Sequence, residues 1–234
     1  MITLDYRRDP STTWEHVCDV HADDLRDHLS WWSGPSLTTG DLVRAVGDGH
    51  ESLYVWLDSG LWDVRDERGP LTASQWDGDD ADAVEMLRRC AGVDRRLVVL
   101  AACDCAETAL RYVPAGEDRP RRAIETARAW ARGQATLAQV RAASSAASAF
   151  VDAAYAVSAY AASSAASASA FAAASSAAFV FADAAASYAA SSASATWLSA
   201  RASSLRSMAP LVRRHIPLAV VARSIVQARR ALAA

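Results

Sequence analysis

The chain has 234 residues, enough for one sizeable core or for a large domain carrying a smaller one. Its 24 Arg (there is no Lys) face 27 acids for a net charge of −3, but residues 1–90 hold 19 acids and 8 Arg while residues 184–234 hold 7 Arg and no acid. Such asymmetry suits two ends that dock on each other or face different partners, and the four cysteines (Cys18, Cys90, Cys103, Cys105) lack the density of a disulfide-stapled secreted scaffold.

In chain order, the alternation of Ile2, Leu4 and Tyr6 before Asp9-Pro10 predicts a short strand or an extended lead-in. A helix is expected from Thr12 or Thr13 to about Trp32, stopped by Ser33-Gly34-Pro35. A second opens at Thr38 or Thr39, with Leu42, Val43 and Val46 as its apolar stripe, and closes at Gly47. Asp48-Gly-His-Glu51 reads as a capping box for a third, Ser52 to Asp58. The span Gly60–Gly78 reads as a connector, within which Leu61-Trp62-Asp63-Val64 also suits a strand.

From Asp79 the helical period is clearer. Ala83, Val84 and Leu87 share a face that ends at Gly92, and Asp94 caps a longer helix running to Pro114. Asp118-Arg-Pro120 starts another, with Pro in the first turn where its missing N–H costs nothing, and Gly133 ends it. Thr136 then caps the entry to an Ala/Ser tract that runs from Gln134 to Ala209 without Gly or Pro. Ala is the best helix former, and Ala/Ser faces let helices approach backbone to backbone. As one helix the tract would be roughly 114 Å long at 1.5 Å per residue, so it folds back or forms a rod. Its turns are expected at Ser163-Ser164, Ser175-Ser176 and Ser191-Ser192. Phe150, Tyr155, Tyr160, Phe171, Phe179, Phe181, Tyr188 and Trp197 read as plugs between helices. A break is expected at Pro210. Pro217 opens a last, basic helix whose apolar face (Leu218, Val221, Ala222, Ile225) is expected to dock on the Ala/Ser bundle.

The resulting expectation is an all-α fold. An Ala/Ser-rich, closely packed helical bundle with the basic C-terminal helix spans residues 79–234, and a smaller, mostly helical, acidic, Trp-rich domain spans residues 1–78. Ala is nearly neutral for transfer to lipid, so the tract does not read as a membrane span. Met1-Ile-Thr-Leu-Asp-Tyr-Arg-Arg has no apolar signal core, and a cytoplasmic location is expected.

No constellation fixes a reaction. Cys18, His21, Asp24 and His28 would share one helical face with zinc-compatible donors, but one straight helix does not surround an ion tetrahedrally, and no metal is expected. Cys103-Asp-Cys105 lacks redox spacing and reads as core. There is no nucleophile elbow or phosphate loop, and neither a catalytic residue nor a cofactor is expected. The Arg residues from Arg119 to Arg141 read as a solvated face with Arg121–Glu125 and Glu125–Arg128 pairs, without the clustering of a nucleic-acid footprint.

One block has a familiar pattern. Asp94-Arg-Arg-Leu-Val-Val-Leu-Ala-Ala-Cys-Asp-Cys-Ala-Glu107, followed by Asp118-Arg-Pro-Arg-Arg-Ala-Ile-Glu-Thr-Ala-Arg-Ala-Trp-Ala-Arg-Gly133, resembles the Imm-5-like immunity family, over about residues 94–200. There a "DCAE" helix precedes a "DRPRxAIEAARAWARG" helix and an Ala-rich region. The resemblance implies an inhibitor of a toxin from bacterial competition systems and carries no catalytic residues.

The expected function is therefore non-enzymatic binding of a protein, an immunity-type inhibitor that neutralises a toxin or effector. The alternative is a self-associating Ala/Ser helical protein of a phage or bacterial assembly. A basic toxin suits the acidic N-terminal region, where Asp23, Asp24 and Asp27 supply charge and Trp31, Trp32, Trp56 and Trp62 supply aromatic anchors. A homo-oligomer is compatible with either reading; nucleic acid and membrane are not expected partners.

Overall fold

The first 70 residues build a sheet. The computed structural model describes residues 1–8, 13–108, 110–113, 115–153 and 197–234. Strands β1 (Ile2–Arg7), β2 (Glu15–Val20), β3 (Leu42–Gly47), β4 (His50–Leu57) and β5 (Gly60–Asp63) pair in the order β2-β1-β3-β4-β5, all antiparallel. A short ribbon, β6 (Arg65–Asp66) with β7 (Gly69–Pro70), follows. The chain is thus α and β, and the all-α expectation is corrected.

The physical reason lies in the period. Leu42-Val-Arg-Ala-Val46 fits a helical stripe and a two-sided strand equally well, and Asp48-Gly49 decides between them. Both residues hold positive φ, 53° and 75°, the conformation of a two-residue hairpin turn whose twist matches its flanking strands. Gly47 then lies opposite His50 and Leu42 opposite Val55. A Cβ on Gly47 would come within 2.2 Å of the Met1 carbonyl oxygen, so only Gly lets β1 start there. The helix expected up to Trp32 resolves into β2, a 3-10 turn at Ala22–Asp24 and a short helix α1 (Leu25–Ser30). The ribbon leads into α2 (Ala73–Asp77), closed by a capping box in which Thr72 and Gln75 bond reciprocally.

Two units divide the chain, one of residues 1–78 and 217–234, the other of residues 79–216. The second is helical. Asp82 caps α3 (Ala83–Arg88), accepting from the Val84 and Glu85 amides at 2.8 and 3.1 Å. Asp94 caps α4 (Arg95–Glu107), and Pro120 sits in the first turn of α5 (Arg119–Ala131). Thr136 and Gln139 form the cap of α6 (Leu137–Ala153). Ala101, Ala102, Ala106, Ala123, Ala127 and Ala147 are all fully buried. These small side chains seat α4 against α5 and α5 against α6.

Helix α7 (Trp197–His215) packs on α3 and α4 and continues through Pro210, where a break was expected. The interior proline costs about 3 kcal/mol. Leu205, Met208, Val212 and Ile216 are all buried along this stretch, worth roughly 1.5–3 kcal/mol each, so continuing the helix wins. The three serine pairs and the large residues from Tyr155 to Tyr188 lie outside the described residues.

The C-terminal helix α8 (Leu218–Ala233) groups with the first unit, where it packs on β4, β6 and α2. Leu218, Val221, Ala222, Ile225 and Val226 are buried. Arg229 Nη1 donates to the Asp63 carbonyl oxygen at 3.2 Å, and Arg230 bonds Asp58 at 2.9 Å while lying 4.8 Å above the Trp62 ring. The apolar face of the helix therefore meets a sheet of this unit.

Candidate partner-binding site

Strand parity sorts the aromatic residues of the first unit. Successive side chains point to opposite faces, and Val55 pairs with Trp62 while Trp56 pairs with Leu61 and Tyr54 with Asp63. Leu53, Val55 and Leu57 are buried on the side that carries Trp62 and α8. Tyr54, Trp56, Leu61 and Asp63 face the other side, which α1 covers in part.

On that other side Leu25 of α1 packs with Tyr54 onto a cluster of Ile2, Leu4, Val20 and Ala45. Beyond α1 the chain turns sharply, held by the Trp32 indole donating to the Pro35 carbonyl at 2.8 Å. An open groove of about 1140 Å³ remains between this segment and the sheet, walled by Trp31, Trp32, Tyr54, Trp56, Leu29 and Leu61 among others. Trp31 is 84% exposed at its mouth.

Of the residues singled out from sequence, Trp31, Trp32 and Trp56 meet in this groove. Trp62 does not, because parity sends it to the opposite face under Arg230; it is 38% exposed there. Asp23 and Asp24 lie in the 3-10 turn and Asp27 on α1, all three exposed and outside the groove wall. Trp76 is core. The single helical face expected for Cys18, His21, Asp24 and His28 does not exist, since Cys18 is in β2 and His28 in α1. Among the described residues no cluster of His, Cys, Asp and Glu is set to hold a metal, and no helix is long and apolar enough to cross a membrane.

A second polar centre, missed from sequence, lies in the helical unit. Asp104 on α4 accepts from Arg128 of α5 at 2.6 Å and bonds the His215 ring of α7 at 2.9 Å, with Arg214 at 3.3 Å. Arg128 also reaches Glu107 at 2.6 Å, so its partners are these acids and not the expected Glu125. Burial raises the Asp104 pKa, but the bonds from His215 and Arg128 outweigh it and leave the carboxyl below its ordinary value. Burial opposes the charge of Arg128, yet Glu107 and Asp104 together raise its pKa. Cys103 and Cys105, on either side of Asp104, are fully buried, and burial pushes both thiols up to about 12. The centre ties three helices together and offers no nucleophile. The spacing of Asp104 and Glu107, one turn apart on α4, is its only trace in the sequence.

Residues 88–209, more than half of the chain, match the family described as Imm-5 like putative immunity protein. The chain belongs to that family. No curated protein and no solved structure matches it. The Imm-5-like span contains α4, α5, α6 and most of α7, hence Asp104, Glu107 and Arg128, and stops just short of His215. The sheet unit that carries the aromatic groove lies outside the span. Immunity proteins act by binding a protein partner.

Proposed function

We propose that the chain is a non-enzymatic, cytoplasmic inhibitor that binds a toxin or effector protein and neutralises it. Membership of the Imm-5-like family carries this reading. The groove of the sheet unit supports the surface: Trp31, Trp32 and Trp56 are the large, rigid anchors that interfaces favour, and Asp23, Asp24 and Asp27 beside them set up a field that speeds encounter with a basic partner. Trp62 is left out of this surface because Arg230 covers it.

The test is co-expression with a panel of toxins from bacterial competition systems. Cells making both proteins survive, cells making the toxin alone do not, and the two proteins co-purify in fixed ratio. A chain that rescues no cell and assembles only with itself overturns the proposal in favour of a structural role.

A further inference from the structure

We infer that the groove beneath α1 receives an arginine-bearing segment of the partner, its guanidinium stacked on the Trp56 and Tyr54 rings and paired with Asp63. The inference rests on the inhibitor reading above and names the chemistry of its contact.

Three observations carry it. The first is how this unit already uses its tryptophans. Arg230 lies 4.8 Å from the Trp62 centroid, Arg44 4.7 Å and Arg7 5.6 Å from that of Trp14. Two indoles outside the groove thus each hold a guanidinium of the same chain, whereas Trp31, Trp32 and Trp56 collect around open space. Aromatic faces attract cations through the ring quadrupole, and Trp does so best.

The second is the position of Asp63. It pairs directly across the strands with Tyr54, one register step from Trp56 and Leu61. Residues directly opposite in an antiparallel pair lie about 5 Å apart at Cβ, so a planar cation on the rings comes within reach of this carboxylate. Asp63 is held only loosely, by Arg65 at 3.9 Å with both side chains about half exposed. Arg suits this arrangement better than Lys, because one guanidinium stacks on a ring and forks onto a carboxylate together.

The third is charge. Asp23, Asp24 and Asp27 are exposed along the turn and α1 next to the wall, and Arg26 is the wall's cation among the described residues. A purely apolar segment would leave Asp63 facing it, and an anionic one would meet the surrounding acids. A cationic segment meets neither penalty.

Titration of the full-length, 15N-labelled protein with a blocked acetyl-Gly-Arg-Gly-Arg-Gly-amide peptide tests this. The indole N–H signals of Trp31, Trp32 and Trp56 are expected to move, while that of the fully buried Trp76 stays. The citrulline version, same shape without charge, is expected to bind about two- to thirtyfold more weakly, the span of a cation–π contact. Asp63→Asn is expected to weaken the arginine peptide further, while the backbone carbonyl of residue 63 still holds Arg229. Equal binding of the arginine and citrulline peptides, or no movement at the three groove indoles, overturns the inference. Trp31→Ala, which alters an exposed side chain, guards against loss of fold at Trp56→Leu. A variant that no longer binds the peptide yet still protects cells as well as the parent refutes the groove chemistry and leaves the inhibitor reading intact. Peptide binding by a chain that protects no cell does the reverse.

Discussion

Asp104 and His215 are separated by 111 positions in the chain and by 2.9 Å in space. Arg128 approaches the other carboxylate oxygen from α5, at 2.6 Å. Asp104 thereby joins α4 to α5, which precedes the Ala/Ser tract, and to α7, which begins inside it. Its side chain is 14% exposed.

Replacing Asp104 by Asn keeps the shape and removes the charge. Bonds to a charged group contribute about 1.5–3 kcal/mol, and a loss of that order is expected in urea unfolding at neutral pH. Because the folded pKa lies below the ordinary carboxyl value of 3.8, the ionised group stabilises the fold above that pH, and the contribution fades as pH falls through the lowered value. The gap between parent and variant should therefore close in acid. An undiminished gap at about pH 2 would contradict this account.

The hairpin turn makes a separate prediction. Gly49 holds φ +75°, and a Cβ placed there would meet nothing within 4 Å, so Gly49→Ala costs only backbone strain, about 1–2 kcal/mol. Gly47→Ala forces a methyl to within 2.2 Å of the Met1 carbonyl oxygen and should cost more. Thermal unfolding of the two variants ranks them, and the reverse order would count against the register of β1 on β3.

Thiol chemistry follows from burial. Cys90, Cys103 and Cys105 are buried, and the last two have their pKa pushed up to about 12. An aromatic disulfide reagent should modify at most Cys18 in the native protein and all four thiols after guanidinium is added. Fast native reaction of Cys103 would show that α4 is not buried as described.

Partner association gives a kinetic test. Changing Asp23, Asp24 and Asp27 together to Lys should slow association with a basic toxin by about tenfold or more at low salt, with a smaller effect at high salt. The three side chains are exposed, so the melting temperature should change little. An unchanged association rate would remove these acids from the encounter surface.

The helical unit is largely legible in the sequence because its signals are local. Asp94, Pro120, Gly133 and Thr136 mark ends that depend on a few neighbouring residues, and each marks one in the structure. The sheet escapes a reading by periodicity because α8 covers one face and α1 with its aromatic groove part of the other, so Leu42-Val43 and the run Leu53–Leu57 are apolar on both faces and lack a polar alternation. Asp48-Gly49 is a strong hairpin signal, but followed by Glu51 it also satisfies the pattern of a helix cap. The groove is legible in part: Trp31, Trp32 and Trp56 stand out by residue type, but only strand pairing reveals that Trp62 turns away and that Tyr54 and Asp63 stand opposite each other. The Asp104–His215 bond depends on tertiary packing, which no local pattern encodes.

Removing α8 by ending the chain at Ile216 should unfold the sheet unit. The four large buried side chains Leu218, Val221, Ile225 and Val226, at roughly 1.5–3 kcal/mol each, rival the whole stability of about 5–15 kcal/mol typical of a domain. Near-ultraviolet circular dichroism should lose the signal of the buried Trp76. A retained signal would mean that β4 and α2 hold together without the helix.

The discontinuity of the sheet unit has a consequence for how the protein is made. Vectorial synthesis delivers residues 1–78 first, but their covering helix emerges only after residues 79–216 have been translated. At about 5–20 residues per second, this interval is on the order of ten seconds. Throughout it the Leu53, Val55 and Leu57 side of β4 is bare on a nascent polypeptide, open to chaperones or to neighbouring chains on the same messenger. The sheet unit thus completes its core only after the intervening helical segment has left the ribosome.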